Sequence, residues 1–224
     1  MNNCWFITGT DTNIGKTICS ILLLKLACNN GYNTAGYKPI ASGSYNHGNK
    51  NEDAILLQRF STIKLKYKEI NPFFFIENTS PHIASKKHSI SICKKKISLG
   101  LYNLKKKSNY ILIEGAGGWF TPFSETETIA DWVIEEKLNV ILVVGIRLGC
   151  INHAILTQKA ILDSNLKISG WIANYILPNN RYDVEYVNTL KKFLQSKCLG
   201  YVKHFRSLNK FYNSKITITL PDFL

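Results

Sequence analysis

The sequence predicts an α/β fold in which helices cover both faces of a doubly wound, mostly parallel sheet. Short apolar runs alternate with longer helical segments along the chain, and this alternation is typical of strand–helix units. Some runs, such as residues 110–113, are apolar at nearly every position, as expected for parallel strands that are buried on both faces. Since no repeat, low-complexity tract or linker interrupts the pattern, residues 1–224 are predicted to form one domain.

The first predicted elements are a strand, a helix, a second strand and a second helix, at residues 4–7, 18–26, 34–37 and from 51 onward. Asn29-Asn30-Gly31 ends the first helix. Lys38-Pro39 ends the second strand. The small and polar residues from Ala41 to Asn51 predict a loop, and Glu52 and Asp53 begin the next helix because acidic side chains favour its first turn.

The second part of the chain begins with a segment of poor periodicity at residues 67–91. It is predicted to leave the sheet on the substrate side and to contain a short helix. The elements after it are predicted as helix 92–107, strand 110–113, helix 129–137, strand 139–144, helix 154–162, strand 168–174, helix 182–195 and strand 199–202. Residues 149–153 form the turn into the helix at 154. This order favours parallel strands with helical crossovers.

The composition favours a globular protein of the cytoplasm. No run approaches the length of a membrane span, and the N-terminus lacks the pattern of a secretion signal. The formal net charge is +13, but only four of the 28 basic residues are arginine and the lysines are scattered, so we expect no nucleic-acid partner. The six cysteines have no metal-binding spacing, which predicts free, buried thiols and no zinc site.

A phosphate-binding loop is predicted between the first strand and the first helix, where the chain reads Gly9-Thr10-Asp11-Thr12-Asn13-Ile14-Gly15-Lys16-Thr17. Backbone N–H groups of such a loop converge on phosphate oxygens, its lysine reaches the β- and γ-phosphates, and its threonine can ligate Mg²⁺. Thr10 stands where the strict pattern has glycine, so an ordinary helix start is the alternative. With this loop, the predicted sheet is similar to that of P-loop NTPases.

Three oxygen-bearing side chains are candidates for a Mg²⁺ site at the C-terminal edge of the sheet, where ligands of open α/β sheets collect. Thr17 lies in the loop, Asp53 begins a helix and Glu114 ends a strand. Hard oxygen ligands suit Mg²⁺ when water and phosphates complete the octahedron. The alternatives are a solvated acid for Glu114 and a helix-start residue for Asp53.

Two further positions can bind anionic groups. Lys38 precedes a proline and would project from a rigid point toward the same edge, although a solvated surface lysine is the alternative. Asn152 and His153 lie where a helix begins, and the N–H groups there could hold a carboxylate or simply be capped.

Five blocks of the chain, in this order, resemble the ATP-dependent dethiobiotin synthetases of biotin biosynthesis. The blocks are Gly9-Thr10-Asp11-Thr12 with Gly15-Lys16-Thr17, Gly36-Tyr37-Lys38-Pro39 with Ala41-Ser42-Gly43, Thr79-Ser80-Pro81-His82, Glu114-Gly115-Ala116-Gly117-Gly118-Trp119, and Gly149-Cys150-Ile151-Asn152-His153-Ala154. The resemblance spans residues 5–200. It implies a homodimer that converts 7,8-diaminononanoate, CO₂ and ATP to dethiobiotin, ADP and phosphate, through a carbamate and a carbamic–phosphoric anhydride.

The resemblance also implies roles for individual residues. Lys38, Lys16 and Thr12 would be catalytic. The nucleotide and its Mg²⁺ would be bound by Asn13, Ile14, Gly15, Lys16, Thr17, Ile18, Asp53, Glu114, Gly115, Ala116, Gly117 and Asn174, of which Thr17, Asp53 and Glu114 would be the metal ligands. The substrate would be bound by Thr12, Lys38, Ser42, Cys150, Ile151, Asn152, His153 and Tyr186, the tyrosine reaching across from the partner subunit.

The chain departs from the family at two places and leaves two rival functions open. Asn13 replaces a glutamate found in many members, Lys203 replaces a proline, and the tail after about residue 203 diverges. One rival is an ATP-driven partition or metal-delivery switch, which usually carries a second lysine where this chain has Asp11. The other is a nonenzymatic binding protein, but the Lys16, Lys38 and Glu114 cluster argues against it.

Overall fold

The computed structural model describes residues 3–44, 48–178, 181–205, 211 and 215–222. The strands are β1 (Asn3–Gly9), β2 (Thr34–Tyr37), β3 (Ile40–Ser42), β4 (Phe73–Phe75), β5 (Tyr110–Glu114), β6 (Asn139–Gly145), β7 (Ile168–Asn174) and β8 (Cys198–Val202). The helices are α1 (Lys16–Asn29), α2 (Glu52–Phe60), α3 (Tyr67–Ile70), α4 (Pro81–Lys87), α5 (Lys94–Lys105), α6 (Ile129–Glu135), α7 (Cys150–Asp163) and α8 (Asp183–Phe193).

Six parallel strands form the main sheet in the order β2-β5-β1-β6-β7-β8. The strand β1 lies between β5 and β6, with Ile7 opposite Glu114 and Gly9 opposite Val143. The C-terminal ends of the three central strands therefore lie side by side. All five residues of β5 are buried, so both faces of the sheet are covered, which confirms the predicted doubly wound class.

The helix α1 packs against both the sheet and α2, because its sequence is apolar around most of its circumference. Its buried side chains include Cys19, Ile21, Leu22, Leu23 and Leu24. Asn30 caps its C-terminus, and Gly31 follows with a φ of 82° that glycine adopts without strain, as the predicted helix stop requires. This packing fixes the first turn of α1, and hence the phosphate loop, against the sheet.

Three local predictions were wrong. Ala41 and Ser42, predicted as the start of a loop, instead end β3, which pairs in parallel with β4 through Ile40 opposite Phe73. Residues 67–91 contain two short helices and a strand rather than one short helix. The helix α7 begins at Cys150 instead of 154, because Gly149 adopts a φ of 90° and turns the chain directly into the helix. Residues 150–153 are thus the first turn of α7.

The remaining predicted elements are confirmed, with ends shifted by a few residues or fewer. Both β2 and β7 have the predicted bounds. The six cysteines are free thiols, but only Cys19 and Cys150 are buried, so the prediction of buried thiols was wrong for the other four. Among the described residues, no helix is long and apolar enough to cross a membrane.

Candidate active site

The phosphate loop joins β1 to α1 at the C-terminal edge of the sheet. Its first residue after the strand, Thr10, donates its backbone N–H to the Val143 carbonyl of β6 at 3.1 Å. Gly15 has a φ of 79°, and a Cβ atom there would lie 2.1 Å from the Asn174 side-chain amide. Lys16 folds back, so that its Nζ donates to the Asp11 carbonyl at 2.9 Å. The loop therefore has glycine and lysine where phosphate binding needs them.

A cluster of charged and polar side chains surrounds Glu114, which is completely buried at the end of β5. One carboxylate oxygen, Oε1, accepts hydrogen bonds from Thr17 Oγ1 at 2.8 Å and Lys38 Nζ at 2.7 Å. The other, Oε2, accepts from Ser20 Oγ at 2.9 Å. Lys38 Nζ also donates to Asp53 Oδ2 at 2.7 Å. The ends of β2 and β5 and the first turns of α1 and α2 thus meet at one point.

The two lysines of the site differ in their electrostatic surroundings. Burial, followed by the neighbouring Lys38 ammonium, lowers the pKa of Lys16 to about 8, against the opposing effect of the nearby carboxylates. Burial also acts to lower the pKa of Lys38, but Asp53 and Glu114 outweigh it and raise that pKa above its ordinary value. Burial acts to raise the pKa of Asp53, whereas Lys38 lowers it overall. Lys38 is therefore a fixed cation, and Lys16 can titrate near neutrality.

Two clefts flank the phosphate loop. The larger, of about 730 Å³, is lined by Lys16, Lys38 and Ser42 on one side and by the turn before α4 on the other. The smaller, of about 370 Å³, lies between the loop, the end of β7 and the residues after β8. Both clefts are lined by Asn13, Gly15 and Ile18, so they are adjoining compartments around one loop.

Most of the predicted site residues line these clefts. The larger cleft holds Thr12, Asn13, Gly15, Lys16, Thr17, Ile18, Lys38, Ser42, Asp53, Glu114, Ala116 and Gly117. Asn174 lines the smaller cleft, while Ile14 and Gly115 are buried. The residues Cys150, Ile151, Asn152 and His153 on α7 and Tyr186 on α8 line neither cleft. The described part of the chain therefore does not bring the predicted carboxylate-binding turn into the larger cleft.

The oxygen atoms of Thr17, Asp53 and Glu114 fit Mg²⁺ as a hard-ligand set. The two carboxylates converge on the Lys38 ammonium, and Thr17 Oγ1 donates to Glu114, so the cluster already holds a positive charge. Asp53 keeps 38% of its side chain exposed and faces the cleft. Among the described residues, no cluster contains three or more His, Cys, Asp or Glu side chains that could hold a metal. Mg²⁺ at this place would therefore also need phosphate or water oxygens as ligands.

Several residues in and around the site were not predicted from the sequence. Ser20 shares a helical face with Thr17 three residues earlier, and this spacing was a usable signal. Arg147, before α7, pairs with the Asp11 carboxylate, which also accepts the Thr12 backbone N–H at 2.7 Å. No local pattern predicts that pair, because 136 residues separate its members.

The sheet order and the loop between β1 and α1 define the class of P-loop NTPases. Solved structures of this class share the fold. One is the septum site-determining protein MinD of Pyrococcus horikoshii in complex with Mg-ADP, with a TM-score of 0.60, 13% identity and coverage of 94% of this chain and 85% of that one. Another is a ParA family ATPase of Chlorobium tepidum, with a TM-score of 0.57, 12% identity and coverage of 95% and 88%.

The relatives at higher identity narrow this class to one family. A family model described as an AAA domain matches residues 4–210. The ATP-dependent dethiobiotin synthetase BioD of Buchnera aphidicola subsp. Baizongia pistaciae is 54% identical over 224 residues, which are 99% of each chain. The BioD 1 enzyme of Escherichia coli K12 is 48% identical over 202 residues, 89% of this chain and 90% of that one. The chain belongs to the family of ATP-dependent dethiobiotin synthetases, which are ATP-dependent ligases.

Proposed function

We propose that this protein forms dethiobiotin from 7,8-diaminononanoate, CO₂ and ATP, as a homodimer in the cytoplasm. The observation that carries the proposal is the buried Lys38 ammonium, which lies beside the phosphate loop and bridges Asp53 and Glu114. A fixed cation at that place suits a reaction whose intermediates accumulate negative charge. Membership of the family, by 54% identity over nearly the whole chain, supports the choice of substrates.

The reaction would proceed in three steps in the larger cleft. One amine of the substrate attacks CO₂ and loses a proton, which gives a carbamate. A carbamate oxygen then attacks the γ-phosphorus of ATP, and ADP leaves as the anhydride forms. The second amine attacks the carbamate carbon and loses a proton, and phosphate leaves as the cyclic urea closes. The two protons pass to solvent, and positioning and charge neutralisation supply most of the catalysis.

Lys38, Lys16 and Thr12 carry the catalytic roles in this proposal. Lys38 neutralises the carbamate, since its ammonium is held at the base of the cleft. Lys16 exchanges the Asp11 carbonyl for phosphoryl oxygens and follows the group that is transferred. Thr12 and Ser42, both at the cleft wall, hydrogen-bond the substrate.

Thr17, Asp53 and Glu114 would hold Mg²⁺ in this proposal. The ion would supply charge neutralisation on the phosphates of ATP. Lys38 would help to position these ligands, because it pairs with both carboxylates and Glu114 in turn accepts a hydrogen bond from Thr17. Ser20 restrains the second oxygen of Glu114 and thus the orientation of that carboxylate.

The ends of the two substrates would occupy separate places. The smaller cleft takes the adenine, with Asn174 at its wall and Asn13, Gly15 and Ile18 lining it from the loop and the first turn of α1. The first turn of α7, Cys150 to His153, takes the distant carboxylate of the substrate at its N–H groups. Tyr186 would reach that carboxylate from the partner subunit. Leu148, next to this turn, has an exposed fraction of 85%, which suits a residue that a second subunit covers.

The direct test is capture of isotopically labelled CO₂ into dethiobiotin by the purified protein with diaminononanoate, Mg²⁺ and ATP. Incorporation is expected only when all four components are present, with one ADP released per product. Reactions that lack one component are the controls. A folded protein that binds ATP but incorporates no label would refute the proposal and would favour a switch ATPase of the same fold.

A further inference from the structure

A chain of hydrogen bonds links three polar residues behind the larger cleft. The Asn51 backbone N–H donates to the Tyr67 hydroxyl at 2.8 Å, and that hydroxyl donates to Asn71 Oδ1 at 2.9 Å. Asn51 and Asn71 are buried, with exposed fractions of 7% and 2%, and Tyr67 is partly buried. None of the three lines either cleft. We call these three residues, Asn51, Tyr67 and Asn71, the support. Its polar atoms form hydrogen bonds with other protein groups.

One end of the support holds the backbone of Lys38. Asn71 Nδ2 donates to the Lys38 carbonyl at 2.7 Å and to the Phe73 carbonyl at 3.1 Å. The Lys38 backbone N–H donates to the Ile70 carbonyl at 2.9 Å. Lys38 lies between β2 and β3, and among the described residues its backbone pairs with no neighbouring strand. The hydrogen bonds with Asn71 and Ile70 hold its backbone instead. They fix the point from which its side chain extends.

The other end of the support holds Ser42 and the helix that carries Asp53. Asn51 Oδ1 accepts the Ala54 backbone N–H at 3.2 Å and so caps α2. Its Nδ2 donates to the Gly43 carbonyl at 3.0 Å and lies 3.5 Å from that of Ser42. The same amide side chain thus sets the start of α2 and the end of β3 relative to each other.

We propose that Asn51, Tyr67 and Asn71 are positioning residues that hold Lys38, Ser42 and Asp53 in their catalytic arrangement. This inference rests on the proposed function, because it assigns the three supported residues to the carbamate, the substrate and the metal. The support acts through backbone and cap contacts and touches no substrate. Displacement of a reacting group by about 1 Å can cost a hundredfold in rate, so loss of one link is expected to slow the reaction.

Tyr67→Phe tests the end of the support at Lys38. The variant removes one hydroxyl and leaves the Asn51 N–H and Asn71 Oδ1 without their partner. We expect kcat for dethiobiotin formation to fall by about tenfold or more, with the Kd for ATP within about twofold of the parent. In a Lys38→Ala background the same change is expected to alter kcat by less than about threefold, because the residue it positions is gone.

Tyr37→Phe is the matched control. The Tyr37 hydroxyl is also buried, and it donates to the Ile97 carbonyl at 2.9 Å, away from the support. This variant loses a comparable hydrogen bond one residue before Lys38, and its kcat is expected to stay within about twofold of the parent. Equal losses of kcat in the two Tyr→Phe variants would show a general effect of stability and overturn the inference. An undiminished effect of Tyr67→Phe without Lys38 would overturn it too.

Asn51→Ser tests the end of the support at Ser42 and Asp53. It is also the variant to measure if Tyr67→Phe does not fold. Serine also caps helices, but it lacks the amide that donates to Gly43. We expect the KM for diaminononanoate to rise by about tenfold with kcat within about threefold. An unchanged KM overturns this end of the support. The parent is assayed first, since a parent that forms no labelled product refutes the proposed function and the support together, whereas an active parent with unaffected variants refutes the support alone.

Discussion

The side-chain amide of Asn174 donates to the backbone carbonyl of Ile14 at 2.6 Å. This bond fastens the end of β7 to the middle of the phosphate loop, across 160 residues of sequence. Asn174 also lines the smaller cleft, where the adenine is proposed to bind. The base side and the phosphate side of the proposed nucleotide site therefore share one residue.

Loss of this amide should weaken nucleotide binding. Asn174→Ala removes the donor to Ile14 and leaves a buried carbonyl without its partner, which typically costs about 1–3 kcal/mol. We expect the Kd for ATP, measured by calorimetry, to rise by about tenfold. Asn103→Ala, at an exposed position of α5, is the control and should bind ATP as the parent does. Unchanged affinity in Asn174→Ala would mean that the loop holds its shape without this bond.

Gly15→Ala should damage the loop more severely. The new Cβ would lie 2.1 Å from the Asn174 amide, and the φ of 79° would strain the backbone as well. We expect ATP affinity to fall by at least about a hundredfold. Gly31→Ala separates the two effects, because Gly31 has a φ of 82° but no atom within 4 Å of the added carbon. That control should lose about 1 kcal/mol of stability and keep its affinity for ATP.

Removal of the Lys38 side chain should stop the chemistry without stopping ATP binding. Lys38→Ala is expected to lower turnover by about a hundredfold or more, as for other charge-stabilising donors, with a nearly unchanged Kd for ATP. Lys16→Ala should weaken ATP binding as well, because Lys16 lies in the loop itself. Turnover of Lys38→Ala within a few-fold of the parent would contradict the role assigned to this ammonium.

The same substitution should also destabilise the fold. It leaves Glu114 completely buried without its cationic partner, and loss of one member of a buried pair costs about 3–5 kcal/mol. Denaturant unfolding measures this loss, with Lys95→Ala on the exposed side of α5 as control. Lys38→Arg keeps the charge and should recover most of the stability, which separates folding from catalysis.

ATP affinity should depend on pH through Lys16. Burial and the Lys38 charge lower its pKa to about 8 in the protein alone, while bound phosphates favour the charged form. The affinity is therefore expected to be flat below pH 8 and to fall above it, by up to about tenfold per pH unit. Lys16→Arg should remove this fall, because arginine stays charged. Calorimetric Kd values between pH 7 and 9.5 that show no increase for the parent would contradict the assignment.

The sequence predicted the main sheet because its strands are defined locally. The runs at β2 and β7 are short and end at Lys38-Pro39 and at Asn174, so their bounds were predicted without knowledge of their neighbours. The strands β3 and β4 have three residues each. They depend on Asn71, whose side chain bridges the Lys38 and Phe73 carbonyls, and no periodic pattern signals such a bond.

The candidate site was also predictable only where the signal is local to one strand end or helix start. Thr17, Lys38, Asp53 and Glu114 were placed together because each lies at the end of a strand or the start of a helix on the same edge of the sheet. Their mutual geometry, in which one ammonium joins two carboxylates, could not be deduced, since it depends on side-chain directions across three elements. The residues that bind the distant carboxylate and the partner's tyrosine stay predictions for the same reason.

The central position of β1 has a consequence for synthesis of the protein on the ribosome. The phosphate loop emerges early, but the neighbour that receives the Thr10 N–H, Val143, is made roughly 130 residues later. At about 5–20 residues per second, translation takes on the order of ten seconds to supply it. Pairings of such long sequence separation also form slowly. The phosphate loop therefore acquires its neighbour on β6 only after more than half of the chain has been synthesised.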